Sequence, residues 1–280
     1  MATSGLGLEI AVFGSEGALS AEALGATRIE LNAEGSYGEG GLSPSLHDLQ
    51  QFTRSSKTEP PVRMMIRPRG PPPEAGGESA RDFQYSDAEF EMMIASIKEF
   101  TDSGTIDAEG GDGFVFGILE EDERGDGDDG TGRRRCRVDK TRCARLVRVA
   151  HPFKCVFHRA FDEIVSCDDG APEGIGHLSW ETGLEDVAAC GFDGILTSGG
   201  LGKAVDNMDM LERIIRKAQA LKIEIIVGGG VRTANVGEII RRLGLREKAN
   251  SVYLHSACLQ GDGSGSINAD EAKGIMAQLR

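Results

Sequence analysis

Eight times along 280 residues, a short run rich in β-branched and aromatic side chains is followed by a longer segment with helical spacing. The runs are Leu8–Phe13, Arg28–Asn32, Val62–Arg67, Phe114–Leu119, Lys154–Arg159, Gly194–Thr197, Glu224–Val227 and Ser251–His255. Strands that alternate with helices in sequence pair in parallel, and eight such units favour a closed (β/α)8 TIM barrel over an open sheet. The length suits one α/β barrel forming a single domain over 1–280. Ser20 before AEALGA and Ser86 before DAEFEMM are expected helix N-caps, since a hydroxyl accepts hydrogen bonds from free backbone N–H groups. Three stretches, 71–82, 120–137 and 167–177, break the repeat with glycine, proline or charge, and are expected to be loop insertions over the C-terminal mouth of the barrel. The acidic Gly-rich part of the second does not match the ligand spacing of an EF-hand.

Composition narrows the partners. Thirty-one basic against 45 acidic residues give a formal charge of −14, which repels a phosphate backbone and argues against nucleic acid. No apolar run is long enough for a membrane span, and the N-terminus carries no secretory pattern, so a cytoplasmic or nuclear protein is expected. Six cysteines, at 136, 143, 155, 167, 190 and 258, form no CxxC pair and fit reduced intracellular thiols better than a disulfide framework or zinc site.

In such a barrel the strand ends build the site. Glu9 stands on the first strand. On the second, Arg28, Glu30 and Asn32 share one face by period-two alternation while Ile29 and Leu31 take the other, so the charged face is expected to point inward. Burying such charges requires that they pair with one another or with a ligand. Arg67 and Arg69 flank Pro68, a pattern that can clamp a carboxylate or phosphate. His158, Arg159 and Asp162 cluster after the fifth strand and are the expected acid–base group, with Asp162 orienting the imidazole and Glu9 or Glu30 exchanging a second proton. Ser198-Gly199 and Gly229-Gly230 end the sixth and seventh strands, where glycines let amides approach an anion. His255, on the last strand, completes the pocket. One reading of these residues is therefore an isomerase- or lyase-like enzyme acting on a small anionic molecule, a phosphorylated one among the candidates; no lysine stands at an expected inward strand end, which argues against Schiff-base chemistry.

Eight ordered segments, LEI at the start, RIEL followed by GGLSPS, then MIRPRG, FVFGIL, FHRAFD, ILTSGG, GGGVRTAN and LHSA, resemble the corresponding stretches of the CutC family across nearly the whole barrel, from Leu8 to Ser256. The resemblance implies a TIM barrel and a role in copper homeostasis, with copper(I) as the bound metal. Many relatives carry cysteine at the position of Asn32 and at the end of the first strand, here Ala11-Val12. Among soft ligands Cys155, Met64 and Met65 remain, and Cys155 is the metal candidate. Analogy with other barrels implies a homodimer.

Overall fold

The computed structural model describes residues 5–72, 81–122, 135–168, 178–249, 251–261 and 265–280. Among these residues ten strands run in chain order: β1 (Gly7–Phe13), β2 (Arg28–Asn32), β3 (Val62–Met65), β4 (Gly113–Phe116), β5 (Leu119–Glu121), β6 (Cys136–Val138), β7 (Lys154–Phe157), β8 (Gly194–Thr197), β9 (Glu224–Val227) and β10 (Val252–Ser256). Eight of them, all but β5 and β6, form a closed parallel barrel in the order β1-β10-β9-β8-β7-β4-β3-β2. The helices α1 (Ser15–Leu24), α2 (Leu46–Ser55), α3 (Asp87–Asp102), α4 (Lys140–Ala150), α5 (Ala160–Ser166), α6 (Ser179–Cys190), α7 (Met208–Leu221), α8 (Val236–Leu243) and α9 (Ala269–Leu279) lie between and after the strands. Among the described residues no helix is long and apolar enough to cross a membrane.

Strand alternation divides the apolar residues into two layers. Leu8, Ile10, Ile29, Leu31, Met64, Phe114, Phe116, Cys155 and Phe157 face the helices in one continuous core. Met65, Val115, Val156, Leu196 and Ile226 meet inside the barrel, with Tyr253 against them, and plug its middle. Each fully buried large side chain contributes about 1.5–3 kcal/mol of hydrophobic stabilisation, so truncating Phe157 to Ala removes wall and helix contacts together and costs about 3–5 kcal/mol. The Tyr253 ring lies flat on Gly7, where a Cβ would come within 2.3 Å of a ring carbon. Gly7 is there to admit the ring.

Two local expectations change. Ser20 is inside α1, not at its start, and its hydroxyl donates to the Glu16 carbonyl one turn back at 2.9 Å. The acidic Glu16 and the left-handed Gly25 mark the true ends, because the helix begins directly after Gly14. Ser86 does cap α3: its hydroxyl accepts from the Glu89 N–H, and the Glu89 carboxylate accepts from the Ser86 N–H at 2.7 Å. The stretch 120–137 is not loop throughout, since its two ends pair as the antiparallel hairpin β5–β6, with Glu121 opposite Cys136. Its centre, like the centres of the other two insertions, lies outside the described residues.

Candidate functional site

The C-terminal ends of the barrel strands surround a cavity of about 680 Å³, lined among others by Glu30, Asn32, Arg67, Phe83, His158, Arg159, Gly229, Gly230, Arg232 and His255. His255, which lines it, pairs with the buried Glu9, its neighbour in register across β1 and β10, through His255 Nδ1 and Glu9 Oε1 at 2.8 Å. Glu9 Oε2 accepts from Arg28 Nε at 2.5 Å, and Arg28 reaches on to Glu224 at 2.8 Å with its guanidinium 3.8 Å from the centre of the Tyr253 ring. Arg28 is therefore inward-facing, as the alternation predicts, but it serves Glu9 from below the cavity and does not line it. Glu30 stands beside them, its Oε1 accepting from Asn32 Nδ2 at 3.2 Å. Glu30 Oε2 and Asn32 Oδ1 are buried acceptors without a hydrogen-bond donor among the described residues. One ligand atom each from Glu9, Glu30 and His255 can be chosen so that all three lie within 4.8 Å of one another.

The electrostatics of this cluster are shared. For Glu9, burial alone would raise the pKa, but the Arg28 guanidinium and the His255 hydrogen bond outweigh it and hold the carboxyl down at about 2. For Glu30 burial prevails: it raises the pKa, the attraction of His255 and more weakly of Arg28 offsets part of that, and the charge of Glu9 adds to it. His255 is raised in turn, because Glu30 and Glu9 outweigh the desolvation that disfavours its charge. With Nδ1 committed to Glu9, Nε2 is the ring nitrogen left for the cavity that His255 lines.

His158 is different from its expectation. Asp162 does not orient it: His158 Nδ1 accepts from the Ala160 N–H at 3.2 Å, Nε2 is buried without a partner, and the ring packs 4.7 Å from that of Phe83. Burial and then the nearby charge of Arg67 lower its pKa to about 3, so it is a neutral imidazole at neutral pH. Gly117 makes room for that ring, since a Cβ there would meet Nδ1 at 2.9 Å. Asp162 instead gathers the β8 end, accepting from Thr197 Oγ1 at 2.6 Å, Ser198 N at 3.0 Å and Ser198 Oγ at 2.8 Å, while Arg159 Nε closes on it at 2.8 Å. The glycine turn at Ser198-Gly199 is thus already filled by the chain's own carboxylate, which corrects the expectation of an external anion there. The Gly229 and Gly230 amides have no acceptor among the described residues; both residues hold left-handed backbone, with φ of 84° and 76°.

The paired arginines also separate. Arg67 Nη2 binds both oxygens of Asp82, at 3.0 and 2.9 Å, and Nη1 donates to the carbonyls of Glu39 and Gly41. It borders the cavity but acts as a strut between two loops. Arg69 turns away to Glu89 at 2.6 Å and packs over Tyr85. No anion clamp results, because internal acceptors take both guanidinium groups. Cys155 is likewise outside the site: its thiol faces the helices, burial raises its pKa to about 12, and its nearest polar partner is the Phe153 carbonyl at 3.8 Å. Met65, not Met64, borders the cavity. Sequence reasoning passed over Arg232, which lines the cavity and donates to Ser256 Oγ at 3.1 Å; its place two residues beyond the glycine run was the available signal. It also passed over Phe83, which nothing in the local pattern distinguishes.

Comparison with known proteins assigns the family and the fold. Residues 6–254 match the CutC family model. A CutC family protein of Treponema denticola is 33% identical over 253 residues, covering 90% of this chain and 81% of its own length. The human copper homeostasis protein cutC homolog is 33% identical over 246 residues, covering 88% of this chain and 73% of its own. The crystal structure of a CutC protein from Streptococcus agalactiae superposes with a TM-score of 0.65 at 22% identity, over 89% of this chain and 98% of that one, and shows the same fold. The barrel described above therefore belongs to the CutC copper homeostasis family.

Proposed function

We propose that this protein serves copper homeostasis by taking up a copper ion, as cargo, at the mouth of its barrel on Glu9, Glu30 and His255. The observation that carries this reading is the approach of three ligand atoms to within 4.8 Å of one another, two of them on Glu30 and His255, which line the cavity. Two carboxylates and an imidazole suit copper(II); copper(I) prefers thiolates, and among the described residues the cavity lining includes none. The unsatisfied Glu30 Oε2 and Asn32 Oδ1 are acceptors that a cation would satisfy. Burial raises the pKa of Glu30, and the Glu30 and Glu9 carboxylates raise that of His255 against its desolvation, so a metal competes with protons at both ligands and its uptake strengthens as pH rises. Free thiols at all six cysteines fit the cytoplasm as its location. The test is calorimetric titration with copper(II) of the intact protein and of Glu30→Gln and His255→Gln: one equivalent should bind to the first and at least about tenfold more weakly to the others. Equal affinity in all three would reject the site.

A second reading is favoured by the Glu9–His255 pair itself. A carboxylate that fixes Nδ1 leaves Nε2 as a proton-transfer group, and the amides of Gly229 and Gly230 with Arg232 border the same cavity as donors for a small anion. In that reading the protein is an enzyme. Stabilisation by small carboxylates or phosphate esters, lost in Arg232→Ala and unaffected by a copper chelator, would favour it over copper uptake.

A further inference from the structure

Four of the six cysteines are packing residues with ordinary surroundings. The Cys143 thiol meets the Ile118 carbonyl, the Cys190 thiol that of Lys140 and the Cys155 thiol that of Phe153, while Cys258 is fully buried in the core. Cys136 and Cys167 are unlike them. Their sulfurs stand 3.7 Å apart, although 31 residues separate them, and no other two cysteine sulfurs make such a contact among the described residues. Cys136 opens β6, in the hairpin that the βα repeat does not require, and Cys167 follows the last residue of α5. The Cys136 N–H points at Cys167 Sγ at 3.4 Å. Next to each cysteine a charged residue ties the same two segments together: Arg135 pairs with Asp168 at 3.1 Å, and Asp168 in turn accepts from the N–H groups of Ser179 and Trp180. Two thiols are thus held side by side by a hairpin, a helix end and a flanking ion pair, and Cys167 is partly open to solvent.

Adjacent thiols on separate segments offer what the barrel mouth lacks, a soft donor pair. Copper(I), a monovalent ion that selects thiolate sulfur, is the metal whose chemistry fits two such donors. We propose that Cys136 and Cys167 form a two-coordinate copper(I) site beside the barrel mouth. On binding, each thiol gives up its proton and forms one sulfur–copper bond, so one copper(I) displaces two protons and the complex carries one negative charge; no electron is transferred. A copper ion held linearly between two thiolates sets their sulfurs farther apart than the 3.7 Å seen here, so the pair has to open slightly on binding. The hairpin can supply this without disturbing the barrel ladder, because β5 and β6 pair only with each other. Glu163, one turn before Cys167 on α5, accepts the Cys167 thiol at its carbonyl and lines the mouth cavity. The thiol site is therefore one helical turn from the carboxylate–imidazole cluster's cavity. This inference rests on the copper reading above and extends it to the reduced ion.

The experiment titrates the reduced full-length protein with copper(I) held by a chromophoric chelator, for the unaltered chain and for Cys136→Ala, Cys167→Ala and Cys155→Ser, each first checked for an unchanged circular dichroism spectrum. The expected result is one copper(I) per chain with two protons released, X-ray absorption showing two sulfur neighbours, and affinity at least tenfold lower in either alanine variant but unchanged in Cys155→Ser. Full affinity in Cys136→Ala or Cys167→Ala, or absence of competition by the unaltered chain, overturns the site. If an alanine variant loses its fold, the sulfur count in the unaltered chain decides: fewer than two sulfur neighbours overturns the proposal. Glu30→Gln and His255→Gln separate the two sites, since they weaken copper(II) binding and leave copper(I) binding intact.

Discussion

Glu9 and His255 are register partners across the seam where the first and last barrel strands meet, and their side chains join at 2.8 Å although 246 residues separate them. The contact that closes the barrel is thus also the contact that fixes the orientation of the imidazole at its mouth. Stability and site chemistry share one carboxylate.

Replacing Glu9 with Gln therefore has two effects. It leaves Arg28 without its 2.5 Å partner in a buried position, and removing one member of such a pair costs about 3–5 kcal/mol. It also removes one of the negative charges that raise the His255 pKa. Urea denaturation should show the loss of stability, and proton NMR of the His255 ring should show a lower pKa; a pKa unchanged in the variant would contradict the pairing.

The depressed pKa of Glu9 sets an acid limit. The folded carboxyl titrates near 2 against an ordinary value of 4.5, so its contribution is fully present above 4.5 and is lost as pH falls through about 2. Glu9→Gln should therefore be less stable than the unaltered chain at pH 6 by a margin that narrows steadily below pH 4.5, as read from denaturation midpoints. A margin independent of pH would mean that the Glu9 charge contributes nothing.

His158 contributes with the same pH direction but from a different cause. Its folded pKa of about 3 lies below the usual 6.5, so between these values the unfolded chain binds a proton that the native chain refuses. Stability should fall on acidification through that window by roughly 1.4 kcal/mol per pH unit from this residue at most. His158→Asn should flatten the profile of stability against pH. An equally steep profile in the variant would show that the imidazole is not held neutral.

The Asp162 carboxylate accepts hydrogen bonds from Thr197, Ser198, Gly200 and Arg159. Asp162→Asn replaces one acceptor oxygen with a donor facing groups that already donate, and hydrogen bonds to charged groups are worth about 1.5–3 kcal/mol each. Thermal denaturation should register a loss of at least about 2 kcal/mol, with faster amide exchange at Ser198 and Gly200. A variant as stable as the original would contradict its structural role.

Much of this architecture was legible in the sequence because its cause is periodic. The Arg28–Asn32, Gly194–Thr197 and Glu224–Val227 strands have the ends that their patterns gave, and the inward set Arg28, Glu30 and Asn32 followed from a period of two against the apolar Ile29 and Leu31. Family membership was legible for a different reason, through eight motifs in order. What a strand pattern does not carry is which polar group meets which. Asp162 lies four residues after His158, yet α5 begins between them and swings its carboxylate to β8; the imidazole that a carboxylate does orient is His255, held by Glu9 on the far side of the barrel. Arg67 and Arg69 looked like a clamp because their partners, Asp82 and Glu89, lie in and beyond an insertion whose path the sequence does not fix. The Cys136–Cys167 contact depends on a hairpin hidden in a stretch that reads as loop.

The most direct test of copper uptake at the mouth is electron paramagnetic resonance of the protein loaded with one equivalent of copper(II). The account predicts a single copper signal with hyperfine coupling to one imidazole nitrogen, abolished in His255→Gln and perturbed in Glu30→Gln, while Cys155→Ser leaves it unchanged. A spectrum identical in His255→Gln and the unaltered chain would contradict it.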